Sequence, residues 1–171
     1  MMLPIDQTDE RDSVSGKLAV RAETMALKLR HILIVEDNED HLALTIEALE
    51  DAGVSNPVMT ASGVQEARAI LAQCAEEARA GKDGLPCVIL LDVRLPDGSG
   101  MELLSEIKEH AILRSVPVVV LTSSDDTPDI RKAYQLGANS YLVKPVVFDE
   151  FHRKVREAGI YWALLNHLYD P

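Results

Sequence analysis

The feature that most constrains the fold is a set of short, continuously apolar runs separated by helical stretches. Val88–Leu91 consists of four aliphatic residues, and Asp92 and a turn containing Pro and Gly follow it directly. A strand that is apolar at every position is buried on both faces, as in a parallel sheet covered by helices. Ligands and chemistry in such sheets lie just beyond the carboxyl ends of the strands. Asp92 is therefore a candidate functional residue.

Strands and helices alternate five times from about residue 30 onward. The apolar pattern predicts strands at Ile32–Val35, Val58–Ala61, Val88–Leu91, Val116–Leu121 and Ser140–Val143. It predicts helices at Glu39–Asp51, Val64–Arg79, Met101–His110, Asp129–Leu136 and from Phe148 to about Leu168. Helices of this length between strands imply right-handed crossovers and parallel pairing. We expect an α/β domain with a doubly wound, five-stranded parallel sheet and helices on both faces.

Length and charge narrow the function classes. The chain has 171 residues, of which we assign 30–171 to one domain and 1–29 to a flexible or partly helical N-terminal extension. A net charge of −11 argues against nucleic acid as a partner, since nucleic-acid binding relies on clustered Lys and Arg. Apolar runs long enough to span a membrane or to form a signal-peptide core are absent from the sequence, so we expect a cytoplasmic protein. Cys74 and Cys87 belong to no metal-binding pair, and we expect buried, reduced thiols.

Polar side chains follow four of the predicted strands at the point where each strand ends. Glu36 and Asp37 follow the first strand, Asp92 the third, Thr122 the fourth and Lys144 the fifth. Each type alone is common as a helix cap, a turn or a surface residue. Because the carboxyl ends of parallel strands meet at one edge, we expect these groups to form one site.

The charges of this predicted site indicate a cation. Carboxylates about 5 Å apart repel by roughly 3 kcal/mol per pair at an effective dielectric constant of about 20. Lys144 supplies one positive charge, and Mg²⁺ would supply two more, with waters and phosphate oxygens completing its shell. Carboxylate, metal, ammonium and hydroxyl groups together form a clamp for a phosphoryl group. In such a clamp Asp92 would be the nucleophile, forming an aspartyl phosphate.

Four ordered motifs resemble the receiver domain of two-component response regulators. They are Ile-Leu-Ile-Val-Glu-Asp-Asn (32–38), Leu-Leu-Asp-Val-Arg-Leu-Pro-Asp-Gly-Ser-Gly (90–100), Val-Val-Val-Leu-Thr-Ser (118–123) and Gly-Ala-Asn-Ser-Tyr-Leu-Val-Lys-Pro (137–145). The resemblance covers about residues 30–168. It implies a flavodoxin-like fold with strand order 2-1-3-4-5. It also implies a signalling domain that assists its own phosphorylation and dephosphorylation, rather than an enzyme.

The resemblance implies a role for each matching residue. Asp92 would accept a phosphoryl group from a histidine kinase. Asp92, Asp37, Glu36 (through water) and the backbone carbonyl of Arg94 would hold Mg²⁺. Thr122 and Lys144 would bind the phosphoryl oxygens, and Tyr141 would turn inward when Thr122 moves toward the phosphate. Members of the family usually have a cis peptide bond before the proline that corresponds to Pro145.

Two positions near the acceptor are candidates for setting the lifetime of the phosphoryl group. Arg94 lies two residues after Asp92, and Ser124 two residues after Thr122. We expect the Arg94 side chain to obstruct or order the attacking water. The alternative is an exposed arginine that contributes only its carbonyl. His41 and His110 fall on predicted helix surfaces, where we expect solvated side chains.

The last predicted helix carries more apolar residues than one core-facing side needs. Phe151, Val155, Ala158, Trp162, Leu165 and Tyr169 keep helical spacing and can face the core. A second group adds apolar area, and we expect it to form a homodimer interface: Ile160, Tyr161, Leu164 and Leu168. The alternative is simple core burial of a long helix.

The chain after Lys144 is too short for an output domain, so we expect the signal to leave through protein–protein contacts. The Tyr161-Trp162 ending and the Pro-Cys entry to the third strand resemble the short response regulators paired with bacterial phytochromes, which implies a phytochrome-type histidine kinase as partner. A phosphate sink or a phosphorelay intermediate is an open alternative. An Asp-nucleophile phosphatase is disfavoured because Arg94 stands where that chemistry needs a second acid. A pseudo-receiver scaffold is disfavoured by the intact set of acid, hydroxyl and amine.

Overall fold

A computed structural model describes residues 29–145 and 147–165 of the chain. The predicted N-terminal extension (except Leu29) and Leu168 therefore lie outside the described residues. Five strands form the main sheet: β1 (Ile32–Val35), β2 (Val58–Ala61), β3 (Val88–Leu91), β4 (Val118–Thr122) and β5 (Ser140–Val143). Five helices connect or follow them: α1 (Glu39–Asp51), α2 (Val64–Arg79), α3 (Gly100–Glu109), α4 (Thr127–Gln135) and α5 (Phe148–Gly159).

The sheet is parallel throughout and has the spatial order β2-β1-β3-β4-β5. This is the predicted order 2-1-3-4-5, so the fold class is confirmed. Strand β1 pairs with β2 on one side and β3 on the other, so that Val35 lies beside Ala61 and Leu91. Every residue of β1, β3 and β4 is buried, whereas the edge strands β2 and β5 are only partly buried. The continuously apolar runs therefore lie at the centre of the sheet.

Two apolar cores lie on opposite faces of the sheet. On one face Leu33 and Val35 pack with Leu71 of α2 and Leu104 of α3. On the other face, Ile32 and Ile34 pack with residues of α1 and α5. Because side chains alternate across a strand, β1 alone contributes to both cores. This arrangement leaves the carboxyl edge of the sheet free for polar side chains.

Short elements that the apolar pattern does not predict surround the third strand. Arg94–Leu95 and Gly98–Ser99 pair antiparallel as a small hairpin directly after Asp92. Leu113–Ser115 forms a 3₁₀ turn before β4. Strands of two residues and single turns are too short to show a periodicity, so sequence reasoning passes over them.

The last helix packs closely against the first. Phe151 and Val155 of α5 are buried in the core that α1 also lines. A Cβ atom at Gly159 would overlap Cδ2 of Leu49, so the absence of a side chain at Gly159 permits this approach. The predicted helix does not continue as an α-helix: Ile160–Leu165 forms a π-helical segment.

Cys74 and Cys87 are buried free thiols, as expected, and burial raises the pKa of Cys87 to about 11. Over residues 29–145 and 147–165 the structure shows no helix that is both long enough and apolar enough to cross a membrane.

Candidate functional site

The predicted site residues meet at the carboxyl edge of the sheet. Glu36 and Asp37 follow β1, and Asp92 follows β3. Thr122 is the last residue of β4, and Lys144 follows β5. The backbone N–H of Lys144 donates to the carbonyl of Thr122 at 2.7 Å, and that of Asp92 donates to the carbonyl of Val35 at 2.9 Å. These backbone bonds extend the strand pairing by one residue and hold the site residues at the sheet edge.

Lys144 joins two of the three carboxylates. Its Nζ atom lies 2.5 Å from Oδ2 of Asp92 and 2.5 Å from Oε2 of Glu36. Lys144, Glu36 and Asp92 are all buried, whereas Asp37 is exposed. Charge-assisted bonds of this kind offset the desolvation of buried charges. The ammonium group thus balances part of the negative charge that the three acids place here.

The acidic side chains fit a hard divalent cation. Glu36, Asp37 and Asp92 each offer a carboxylate oxygen, and these oxygens lie within 4.8 Å of one another. All three donors are oxygen atoms, which is the chemistry that Mg²⁺ prefers. Three carboxylates beside one ammonium also leave an excess of negative charge for a cation to neutralise. The acidic part of the predicted site is therefore suited to the predicted metal.

The backbone around Asp92 is tightly constrained. Oδ1 of Asp92 accepts a hydrogen bond from the backbone N–H of Arg94 at 3.1 Å. Gly100, the first residue of α3, donates its N–H to the carbonyl of Val93 at 2.9 Å. A Cβ atom at Gly100 would overlap the carbonyl oxygen of Asp92. The start of α3 therefore lies against the acceptor residue and limits where its backbone can move.

Asp97, at the tip of the hairpin, ties this loop to helix α2. Its carboxylate accepts hydrogen bonds from the N–H groups of Val64 at 2.7 Å and Gln65 at 2.9 Å. These two bonds, that of Gln65 first, lower the pKa of Asp97. Gly63 precedes the helix and has no side chain to cap it, so Asp97 supplies the cap from another element. Sequence reasoning missed this role because the cap lies 33 residues from the helix start.

Thr122, Ser124 and Tyr141 form a connected group beside the acids. Thr122 is fully buried, and its Oγ1 atom lies 3.4 Å from the backbone nitrogen of Ser124. The hydroxyl of Tyr141 donates to the carbonyl of Ser124 at 2.9 Å, while the Ser124 hydroxyl donates to Oδ2 of Asp129 at 2.7 Å. Burial raises the pKa of Tyr141. The loop after β4 is thus held by the ring that the sequence predicts as the switch aromatic.

The Arg94 side chain reaches across to the loop after β4. Its guanidinium group contacts the hydroxyl of Ser123, and the two side chains are exposed. Arg94 thereby links the loop after β3 to the loop after β4. The two interpretations of Arg94 that the sequence allows both remain predictions, since the side chain is exposed and its partner is Ser123.

His41 is the site residue that sequence reasoning missed. Its Nδ1 atom lies 3.4 Å from Oε1 of Glu36 and 3.4 Å from Nζ of Lys144. The expected solvent exposure of His41 is found, at 44% of the side chain, but the expectation did not include these two contacts. The contact depends on the return of the chain at Lys144, 103 residues later, and no local pattern signals it. His110, the other histidine that we expected to be solvated, accepts hydrogen bonds from the N–H groups of Ile112 and Leu113 at 3.2 Å.

The expected cis bond before Pro145 is a prediction that the structure corrects. Among residues 29–145 and 147–165 every peptide bond is trans, including the bond that joins Lys144 to Pro145. The trans form is the more stable one for an X–Pro bond in the absence of other constraints.

Comparisons with known proteins agree with this geometry. The sequence model of the response regulator receiver domain family matches residues 32–156 of this chain. The probable methanogenesis regulatory protein FilR2 of Methanothrix harundinacea is 40% identical over 140 residues, which cover 82% of this chain and 88% of that protein. Response regulator Rcp1 of Synechocystis is 33% identical over 131 residues, which cover 77% of this chain and 87% of Rcp1.

Two solved structures extend the comparison. The Mn(2+)-bound form of Rcp1 superposes with a TM-score of 0.72 at 31% identity, covering 82% of this chain and 99% of that one. The phosphorylated cyanobacterial phytochrome response regulator RcpA gives a TM-score of 0.72 at 36% identity, covering 81% and 97%. The fold, the acidic edge with its lysine, and the match over residues 32–156 lead to one conclusion: the chain belongs to the response regulator receiver domain family.

Proposed function

We propose that this receiver domain accepts a phosphoryl group on Asp92 from a histidine kinase and passes the signal on through protein–protein contacts. The observation that carries the proposal is the position of the Lys144 ammonium, 2.5 Å from an Asp92 oxygen at the edge of an acidic cluster. A buried carboxylate beside a fixed cation is arranged to take up a charged group rather than to cap a helix. The similarity to phosphorylated RcpA supports the same reading.

The chemistry follows from the side chains around Asp92. A carboxylate oxygen of Asp92 attacks the phosphorus of a phosphohistidine. The new O–P bond forms as the P–N bond breaks, and the departing imidazole nitrogen takes a proton from water. Lys144 and the Thr122 hydroxyl bind the phosphoryl oxygens. Mg²⁺ held by Glu36, Asp37, Asp92 and the carbonyl of Arg94 would supply positive charge that neutralises the transferred group.

Tyr141 carries the change outward in this proposal. Its hydroxyl bonds the carbonyl of Ser124, and the Ser124 N–H faces the Thr122 hydroxyl at 3.4 Å. When Thr122 bonds a phosphoryl oxygen, the loop follows and Tyr141 moves further inward with it. The phosphoryl group shifts a pre-existing equilibrium by its differential interaction with the two states.

Incubation with acetyl phosphate and Mg²⁺ tests the proposal, with intact-protein mass spectrometry as the readout. We expect the wild-type protein to gain the mass of one phosphoryl group and Asp92→Asn to gain none. Asp126→Asn is a matched control, because Asp126 is an exposed acid in the loop after β4. No gain in the wild type, or the same gain in Asp92→Asn, would contradict the proposal.

Arg94 and Ser124 set the lifetime of the phosphoryl group in this proposal. The Arg94 guanidinium contacts the hydroxyl of Ser123, so this side chain bridges the loops that follow β3 and β4. Ser124 is small, and its hydroxyl donates to Asp129. We expect phosphate loss from phosphorylated Arg94→Ala to differ severalfold from the wild type, whereas Arg114→Ala, which replaces another exposed arginine, should match it. An unchanged rate in Arg94→Ala would contradict a role of the side chain, and Arg94 would then contribute only its backbone carbonyl to the site.

A phytochrome-type histidine kinase is the partner that we propose, because RcpA is a cyanobacterial phytochrome response regulator. A purified kinase of this type, loaded with labelled phosphate, should transfer label to the wild type and not to Asp92→Asn. Return of the label to the kinase, or its passage to a second histidine, would favour the phosphate-sink or phosphorelay function instead. Transfer from an unrelated kinase alone would remove the phytochrome assignment.

We also propose that the segment after α5 forms a homodimer interface. Tyr161 is 52% exposed and packs edge-on against Trp162, with ring centroids 4.8 Å apart. A hollow of about 210 Å³ lies beside these two rings. Ile160 is half-buried, the backbone of Leu164 belongs to the π-helical segment, and Leu168 lies outside the described residues. Light scattering should give a dimer mass for the wild type and a smaller mass for Tyr161→Glu. A monomeric wild type at micromolar concentration would contradict the interface.

A further inference from the structure

His41 meets the site through a single atom. Nδ1 lies 3.4 Å from Oε1 of Glu36 and the same distance from Nζ of Lys144. The remaining contacts of this acid and this lysine lie within the pocket: Glu36 Oε1 is 3.3 Å from the N–H of Asn38, and Lys144 also binds Asp92. The imidazole is therefore the side chain that closes the outer end of the Glu36–Lys144 pair.

Two hydrogen bonds hold the backbone of His41, and one aromatic side chain lies beside its ring. The N–H of His41 donates to Oδ1 of Asn38 at 2.9 Å, so the residue belongs to the capped first turn of α1. Its carbonyl accepts from the buried hydroxyl of Thr45 at 2.8 Å. The ring itself lies beside that of Phe151 in α5, with centroids 6.5 Å apart. The backbone bonds fix where the side chain begins, and Phe151 flanks the ring on the side of α5.

The chemistry of Nδ1 limits what this contact can be. An Nδ1 atom without a proton accepts from the Lys144 ammonium, whereas the contact with the Glu36 carboxylate is an electrostatic one at ion-pair distance. Each contact restrains one partner of the short Glu36–Lys144 bond. Glu36 in turn is one of the three carboxylates whose oxygens cluster within 4.8 Å.

We propose that His41 is a positioning residue for the site: through Nδ1 it orients Glu36 and Lys144 for the cation and the phosphoryl group. The proposal rests on the phospho-acceptor function given above. Groups that orient metal-binding side chains without touching the metal typically change metal affinity by 10–100-fold when removed. We expect the smaller end of that range, about 10-fold, because the two distances are long and the side chain is partly exposed.

Three substitutions at this position separate positioning from packing. In His41→Asn the amide group replaces Nδ1, in His41→Gln the amide reaches the place of Nε2, and His41→Ala has neither. We expect His41→Asn to bind Mg²⁺ within about twofold of the wild type, and the other two about 10-fold more weakly. Isothermal titration with Mg²⁺ alone measures this. The rate of phosphoryl uptake from acetyl phosphate should follow the same order.

A matched control and a folding check accompany the series. Glu47 is an exposed acid on the same helix, and Glu47→Gln should leave both measurements unchanged. Far-ultraviolet circular dichroism at the titration temperature, with a melting curve that lies above it, confirms that each variant is folded.

The outcomes distinguish this inference from the function on which it rests. If all three variants bind Mg²⁺ as the wild type does, His41 has no positioning role. If His41→Asn is as weak as His41→Ala, the ring acts by packing on Phe151, and the role of Nδ1 is overturned. Failure of the wild type itself to take up a phosphoryl group would remove the proposed function, while the Mg²⁺ series would still decide the role of His41.

Discussion

Asp97 shows how one exposed carboxylate connects two elements near the acceptor. It lies at the tip of the hairpin after Asp92 and accepts the first two N–H groups of α2. Helix N-termini leave such donors without partners inside the helix, and they favour negative charge. Asp97 thus caps a helix to which it does not belong, and it restrains the loop that carries the Arg94 carbonyl.

We predict that Asp97→Ala lowers the thermal stability of the protein and that the loss depends on pH. Because hydrogen bonding lowers the pKa of Asp97 below its ordinary 3.8, its contribution is present above that value and is lost as the pH falls through the folded-state value. The difference in melting temperature between wild type and Asp97→Ala should be full at neutral pH and should shrink below about pH 4. Asp97→Asn retains one acceptor and should fall between them. A difference that does not change with pH would contradict the capping role.

Single residues also mark the limit of what the sequence predicts. Asp92, Thr122 and Lys144 could be predicted because each directly follows or ends a predicted strand, and the parallel sheet brings those ends together. His41 and Asp97 could not, because their partners lie on distant elements and neither has a distinctive local pattern. Long-range contacts of polar side chains need the fold before they can be read.

At the scale of elements, the close approach of α5 to α1 depends on Gly159. The glycine is buried, and a Cβ atom there would overlap Leu49, which is itself only 2% exposed. The same two helices hold Phe151 and His41 near each other. The packing of the last helix is therefore tied to the helix that flanks the acidic site.

Gly159→Ala should lower the free energy of unfolding by about 1 kcal/mol, although alanine favours the helix. The gain in helix propensity is at most about 1 kcal/mol, whereas overpacking a filled core costs about 1–3 kcal/mol. Urea denaturation measures the difference. In Gly159→Ala/Leu49→Ala the new methyl group occupies part of the space that Leu49 leaves, so the double variant should lose less than the sum of the two single losses. Equal or greater stability of Gly159→Ala would contradict close packing at this position.

The strands and helices differ in how closely their predicted bounds match those in the structure. β1, β2, β3 and β5 have the same bounds in the prediction and in the structure, and in β1 and β3 four adjacent aliphatic residues mark the strand. The fourth strand begins at Val118 rather than Val116, and α4 begins at Thr127 rather than Asp129. The π-helical end of the last helix was not predicted, because a wider turn preserves the same apolar composition.

At the scale of the whole molecule, Lys108 makes the free energy of unfolding vary with pH in the alkaline range. Its Nζ atom donates to the carbonyl of Val116 at 2.7 Å and to Oδ1 of Asn139 at 3.0 Å. Lys108 thus joins α3 to the segments that lead into β4 and β5. Burial lowers its pKa from 10.5 to about 8. Between these two values the unfolded chain binds more protons than the folded one, so this group makes the free energy of unfolding rise with pH.

We therefore predict that Lys108 makes the free energy of unfolding rise between about pH 8 and pH 9, and that Lys108→Met removes this rise. Cys87 opposes it at higher pH: its raised pKa means that the unfolded chain loses the thiol proton first, above its ordinary 9.0. Urea denaturation across this interval compares the slopes of wild type and Lys108→Met. Lys132→Met, which replaces an exposed lysine, should keep the wild-type slope. Parallel slopes for wild type and Lys108→Met would contradict the prediction.

Lys144 forms ion pairs with both Asp92 and Glu36, and this has a practical consequence for Asp92→Asn, the substitution that removes the phospho-acceptor. Glu36, Asp37, Asp92 and Lys144 together carry a formal charge of −2, and Asp92→Asn changes it to −1. The variant thus lacks the nucleophile, and it also leaves Lys144 paired with Glu36 alone in a less acidic pocket. Asp92→Asn is a charge variant as well as a variant that cannot be phosphorylated. A partner or cation that binds it differently from the unphosphorylated wild type is reporting on electrostatics, not on signalling state.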